Sequence, residues 1–329
     1  LGKNRNAIDA SSVVFRTLYL GITLSPIKEM ELRASRIPGV VSLAQGIPSL
    51  DTPGVIKEYV MNAIRNGNVG RYSLSPGLPE LREVIERHLA SDNIFYDYNK
   101  EIIVTAGSIE AITATLLTIL ETGDEVIIVS PSYASYSQAI RVAHGVPVWV
   151  NLNEEDGWSL SLFAIKGALT TRTRAILLAN PNNPTGTLFS PEQLRSIAEL
   201  AQTHDFLFII DEVYKDLIYT NAPYYSIAQE PAFRKNIVFV YSFSKAYAMT
   251  GWRVAFLATD QTLATEILKV HDALVTCAPV VSQYAAIAAL ELASPEKQRV
   301  RAIFQRRRDL LCARLDALQE FFAYQRPTS

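Results

Sequence analysis

Between residues 102 and 258 the chain alternates short, almost uninterrupted apolar runs with longer stretches in which apolar positions recur every three or four residues. The short runs, 102–105, 125–129, 146–150, 175–179, 207–210, 237–241 and 254–258, are rich in Val, Ile, Leu and Phe. Strands covered on both faces need continuous apolar runs, so these seven predict a mostly parallel sheet with helices on both faces. The periodic stretches predict the covering helices, among them 108–120, 136–144 and 190–204, the last opened by Ser190 as N-cap and Pro191 in the first turn. Strand-helix alternation places the chain in the α/β class. Residues 1–50 lack this periodicity and are expected to be irregular. From 280 to 320 the pattern is nearly all helical, broken only near Ser294 and Pro295. These ends are expected to form parts of a smaller second domain.

Composition narrows the picture. With 329 residues, 49% of them hydrophobic, a large core can form without disulfide staples. The 31 basic and 33 acidic side chains leave a net charge of -2, which offers no basic stripe for nucleic-acid phosphates. The Arg306, Arg307, Arg308 cluster shares its helix with Asp309, Arg314 and Asp316 and is expected to be a solvated face. No window holds about 20 apolar residues in a row, so neither a membrane partner nor export is expected. Cys277 and Cys312 lack partners at disulfide or metal spacing, which suits a reducing, cytoplasmic setting. His88, His144, His204 and His271 are scattered without metal-ligand spacing and read as helix-face or terminal residues. The GxxxxGK, GxGxxG and GxSxG patterns are absent, which removes support for those nucleotide-binding loops and for a Ser-His-Asp hydrolase.

Four segments carry chemistry. In SFSKAYAMTGWR, Ser242 to Arg253, a lysine stands between a buried strand and an apolar continuation. Burial disfavours the ammonium, and a lysine with a lowered pKa can act as nucleophile or base and form Schiff bases. Ser242, Ser244 and Arg253 offer phosphate donors. NPNNPTG, Asn180 to Gly186, follows a strand and reads equally as a proline-fixed turn. DEVY, Asp211 to Tyr214, sits at the carboxyl end of a strand, where open α/β sheets place ligands, though a single acid there is often a helix cap. TAGSIEA, Thr105 to Ala111, leads through a glycine into a helix whose free amides could hold an anion.

In this order, and together with LAQGIPSLDTP (43–53), YSLSPGLPELR (72–82) and PSYASY (131–136), these segments resemble the class I and II aminotransferases, pyridoxal-phosphate enzymes of the aspartate aminotransferase fold, fold type I. The resemblance covers nearly the whole chain. It implies a large domain over residues 51–285, an N-terminal arm with part of a small domain over 1–50, and the start of an incomplete small α/β domain over 286–329. It also implies that Lys245 holds pyridoxal 5'-phosphate as a Schiff base, that Asp211 pairs with the pyridinium nitrogen, and that Asn183 and Tyr214 bond the ring hydroxyl oxygen. Tyr133 would stack on the ring. Gly107, Ser108 and Ile109 would receive the phosphate on their backbone, with Ser242, Ser244 and Arg253 adding side-chain donors. Lys245, Asp211 and Tyr214 would be catalytic, and Gly46 and Asn183 would line the substrate side. Tyr72 would reach the phosphate of a neighbouring subunit, which implies a homodimer with shared active sites. The implied reaction moves an amino group from an L-amino acid to a 2-oxo acid by a ping-pong route. Lyases of the same fold and catalytically silent relatives share these motifs.

Two departures stand out. Family members run further and carry near their C-terminus an arginine for the substrate α-carboxylate. Arg326 does not match its context, so that arginine is expected beyond Ser329 and the chain reads as a fragment. Some bacterial aspartate-specific relatives place a lysine where this sequence has Ile109, so aromatic, alanine-type or broad amino-acid substrates are expected rather than dicarboxylates alone.

Overall fold

A computed structural model describes residues 21–43, 46–220 and 223–329. Residues 1–20 of the expected N-terminal arm, and Ala44 and Gln45 of LAQGIPSLDTP, lie outside the described residues. Seven strands form one sheet: β1 Ile102–Thr105, β2 Glu125–Ser130, β3 Val146–Asn151, β4 Thr173–Ala179, β5 Leu207–Asp211, β6 Ile237–Ser242 and β7 Ala255–Ala258. Each coincides with an expected apolar run to within two residues at either end. Their order is β1-β7-β6-β5-β4-β2-β3. The strands from β6 to β3 pair in parallel, and β7 runs antiparallel to both β1 and β6.

The helices are α1 Pro26–Ala34, α2 Gly54–Arg65, α3 Pro79–Ser91, α4 Ser108–Ile119, α5 Ser135–Val142, α6 Leu162–Ala168, α7 Pro191–His204, α8 Gln261–Val275, α9 Val280–Leu292 and α10 Ser294–Asp316. They cover both faces of the sheet. In β5, Phe208 and Ile210 pack in the cluster that holds Ile56 of α2, Leu81 and Ile85 of α3, Ile197 of α7 and Ala286 of α9. Ile209 points the other way, among Ile112 of α4, Ile140 of α5 and Ile267 of α8. Each fully buried side chain of this size contributes roughly 2 kcal/mol. Two such layers explain why six strands read as continuous apolar runs; β3, expected to be covered likewise, is instead an edge strand that is mostly exposed, with only Val150 buried.

The α7 start follows its sequence signal: Gln193 N–H donates to Ser190 Oγ at 3.2 Å and Ser190 N–H donates to Gln193 Oε1 at 2.9 Å, a reciprocal cap. Helix α1 was not expected, since residues 1–50 read as irregular. It is opened by Ser25, whose Oγ accepts from Lys28 N–H, and by Pro26. It buries no side chain, so no apolar stripe marked it. The Arg306–Arg308 cluster is only partly a solvated face. Arg308 is half-buried, stacks 4.8 Å over the Tyr219 ring and donates to Pro327 O. His271 is fully buried rather than on an open helix face. Among the described residues no helix is long and apolar enough to cross a membrane, and Cys277 and Cys312 are buried free thiols.

Candidate active site

The carboxyl ends of β1, β4, β5 and β6 lie along one edge of the sheet, and the reversed β7 brings its amino end to the same edge. Register makes the consequence specific. Ala255 stands between Thr105 of β1 and Ser242 of β6, so Arg253, two residues ahead of it, meets the turn after β1 and the serines after β6. Asp211, the last residue of β5, stands beside Ala179, the last of β4, which leads directly into NPNNPTG.

The first of these meetings makes an anion cup. Gly107 precedes α4 with φ +98°, and a Cβ there would lie 2.1 Å from Arg253 Nη2, so only glycine lets the guanidinium close on this turn. Nη2 of Arg253 donates to Ala106 O at 3.4 Å and Nη1 to Thr250 O at 3.1 Å. The intrahelical ladder starts with Glu110 N–H on Gly107 O, so the amides of Ser108 and Ile109 point out of the helix end. Ser242 and Ser244 are buried, with their hydroxyl oxygens 3.0 Å apart. A helix N-terminus, a guanidinium and two hydroxyls together are the donor set for a phosphate.

Beside the cup, Lys245, Gly46, Asn183 and Tyr214 line a cavity of about 270 Å³ with Ile47, Pro48, Leu217 and Phe304. Lys245 Nζ donates to Gly46 O at 2.7 Å and lies 5.9 Å from the centre of the Tyr214 ring. Burial, then the charges of Lys28 and Arg253, lower its pKa below the usual ammonium range, against the opposing pull of Asp211. Asn183 Nδ2 donates to the Tyr214 hydroxyl at 3.0 Å, and burial keeps that phenol well up and protonated. Two bonds hold the NPNNPTG loop in shape, from Asn182 N–H to Thr187 O and from Gly186 N–H to Asn182 O, so the turn reading and the site reading of this motif are both realised.

Asp211 is 3% exposed. Burial pushes its carboxyl up to about 6, although the Tyr136 hydroxyl donates to it at 2.9 Å, Val213 N–H donates at 3.2 Å and Lys245 adds a favourable charge. It is not a helix cap. Tyr136 stacks edge-on against Tyr133, ring centroids 5.5 Å apart. No role was expected for Tyr136 from sequence, although its three-residue spacing from Tyr133 was the available signal. Tyr72 is 83% exposed. A larger cavity, about 500 Å³, opens on Lys215, Asp216, Lys297 and Arg301 and touches none of these groups.

Residues 38–328 match the family described as aminotransferase class I and II. The chain belongs to that family. This aminotransferase is 38% identical over 287 residues to a probable aspartate/prephenate aminotransferase of Aquifex aeolicus, covering 86% of this chain and 72% of the relative. Its fold is similar to the aromatic aminotransferase of Pyrococcus horikoshii, with 37% identity, TM-score 0.81, and coverage of 88% of this chain and 78% of that one. It is also similar to the aspartate aminotransferase of Thermus thermophilus with maleate, with 31% identity, TM-score 0.89, and coverage of 96% and 83%. Fold type I and pyridoxal phosphate chemistry follow for the aminotransferase, as expected from its motifs. The donor set of its cup, the buried carboxylate and the half-buried lysine all fit that cofactor.

Proposed function

We propose that this aminotransferase exchanges the amino group of an L-amino acid for that of a 2-oxo acid in two half-reactions carried by Lys245. The observation that carries the reading is the lysine itself, with a lowered pKa, at the mouth of a cavity shared with Asn183 and Tyr214 and backed by buried Asp211. Pyridoxal phosphate, when bound, supplies a ring that accepts electrons from the substrate Cα. Asp211 holds positive charge at the ring nitrogen, and Tyr136 orients the carboxylate for it. Asn183 and Tyr214 donate to the ring oxygen, and Tyr133 covers the ring face. Arg253, Ser242, Ser244 and the amides of Ser108 and Ile109 hold the phosphate. Lys245, as a neutral amine, takes the proton from the substrate Cα. Gly46, whose carbonyl accepts from Lys245, borders the substrate.

Ile109 leaves the position beside the cup without a cation, which supports aromatic or broad amino-acid substrates. Relatives named for aspartate/prephenate and for aromatic amino acids fit this range. Tyr72, exposed in its own chain, supports a homodimer in which each subunit completes the other's phosphate site. The reading keeps a large domain at 51–285 between an N-terminal part and a C-terminal part, with α9 spanning the second boundary. Two free thiols are compatible with a cytoplasmic setting.

The test is borohydride reduction of the purified protein with pyridoxal phosphate, followed by peptide mapping and an absorbance spectrum with added amino acids. The label is expected on Lys245, with a spectral shift on amino acid addition. Lys245→Ala is expected to abolish turnover and Asp211→Ala to lower it by orders of magnitude. Labelling elsewhere, or normal transamination by Lys245→Ala, removes the assignment.

A further inference from the structure

Glu110 lies in the first turn of α4, next to the two amides of the anion cup. Its Oε2 accepts from Ala106 N–H at 3.0 Å, and the carbonyl of the same Ala106 accepts from Arg253. The carboxylate therefore shapes the turn that receives the phosphate. Its charge works against that task, because an anion in the first helical turn competes with a phosphate for the same positive end. The side chain is 11% exposed, so water screens the charge poorly.

His271 of α8 resolves the conflict. It is 0% exposed, with Nδ1 3.0 Å from Glu110 Oε1 and Nε2 3.1 Å from Ser75 O. A backbone carbonyl can only accept, so Nε2 carries a proton. A lone pair on Nδ1 facing a carboxylate oxygen at that distance would be repulsive, so a second proton lies between Nδ1 and Oε1. Whichever atom holds it more closely, the pair as a whole is neutral. Ser75 belongs to the loop after Tyr72, which is fastened further by Ser75 Oγ donating to Asp272 and Gln283 Nε2 donating to Ser73 Oγ.

We propose that His271 is a positioning residue for the cofactor phosphate: sharing a proton with Glu110, it removes a negative charge from the turn that binds the phosphate, and donating to Ser75, it ties that turn to the loop carrying Tyr72. This rests on reading the cup as the pyridoxal phosphate site. His271 touches neither cofactor nor substrate. It acts through Glu110.

The experiment titrates apo protein with pyridoxal phosphate and, separately, with pyridoxal, which lacks the phosphate, reading uptake by absorbance. His271→Gln keeps a neutral donor but supplies no shared proton. It is expected to weaken pyridoxal phosphate about tenfold while pyridoxal stays within about twofold. Glu110→Gln/His271→Gln, which has no charge left to compensate, is expected to return pyridoxal phosphate to within about threefold of wild type. Equal weakening of both ligands by His271→Gln marks a general structural role and overturns the inference, as does no weakening of either or failure of the double variant to recover. Uptake of neither ligand by the wild-type protein overturns the site reading and this inference with it, whereas normal wild-type uptake with unchanged His271→Gln overturns this inference alone.

Discussion

Asp211 occupies a position where its charge is disfavoured, and three partners only partly offset the burial. Its pKa, raised from 3.8 to about 6, lies above the value in the unfolded chain. The sign follows: stability is greatest where Asp211 is protonated, below the unfolded value, and is lost as pH rises through about 6. Apo wild type is therefore expected to lose up to about 3 kcal/mol relative to Asp211→Asn across that window, checked by urea denaturation at several pH values. The same substitution is expected to lose cofactor affinity, so the site trades stability for a buried charge that the ring nitrogen can use. Glu212, the next residue, is fully buried and raised to about 8 by burial, despite the charge of Lys215 and a hydrogen bond from Ser226. Glu212→Gln is expected to remove a second loss of stability, spread between the ordinary value of 4.5 and about 8, without changing pyridoxal phosphate uptake, since its carboxylate bonds Ser226, outside the cup and the cavity beside it. The place of Asp211 at the carboxyl end of its strand was legible in the sequence. Its partner Tyr136 was not, because a hydrogen bond between residues 75 apart leaves no local trace.

At the scale of elements, the start of α4 and the start of α7 look alike in sequence, each a small residue ahead of an apolar-periodic run, yet they serve different ends. Ser190 caps α7 with its own side chain and Gln193 returns the bond. Ser190→Ala is expected to cost about 1 kcal/mol in denaturant unfolding with pyridoxal phosphate affinity unchanged. Gly107 caps nothing with a side chain, and that leaves the α4 amides free for an anion. Gly107→Ala is expected to displace the Arg253 guanidinium from the cup and to strain a backbone held at φ +98°, at a cost to the fold of roughly 1–3 kcal/mol. Cofactor affinity should then fall about tenfold or more, with circular dichroism unaltered. Helix α1 shows the limit of pattern reading. A helix that buries nothing needs no apolar stripe, and its only written signals were Ser25 and Pro26.

At the scale of the whole molecule, the reversal of β7 decides the site, because it alone carries Arg253 to the edge where the other strands end. The proposed dimer is testable by complementation. Mixed subunits of Tyr72→Ala and Lys245→Ala form hybrids in which one site of two has both residues intact, so random pairing is expected to restore about a quarter of wild-type activity. Mixtures that recover nothing would count against sharing. By itself the sequence determined the seven strands, the helices that cover them and the ordered motifs after β1, β4, β5 and β6, since strand, capping and turn chemistry act over a few residues; that β3 is an exposed edge strand was not legible in its apolar run. Tertiary structure alone decided that Arg253 closes on Gly107, that Tyr136 serves Asp211 and that His271 neutralises Glu110. Those contacts depend on strand order and direction, and they join residues 75 to 161 positions apart that no local pattern connects.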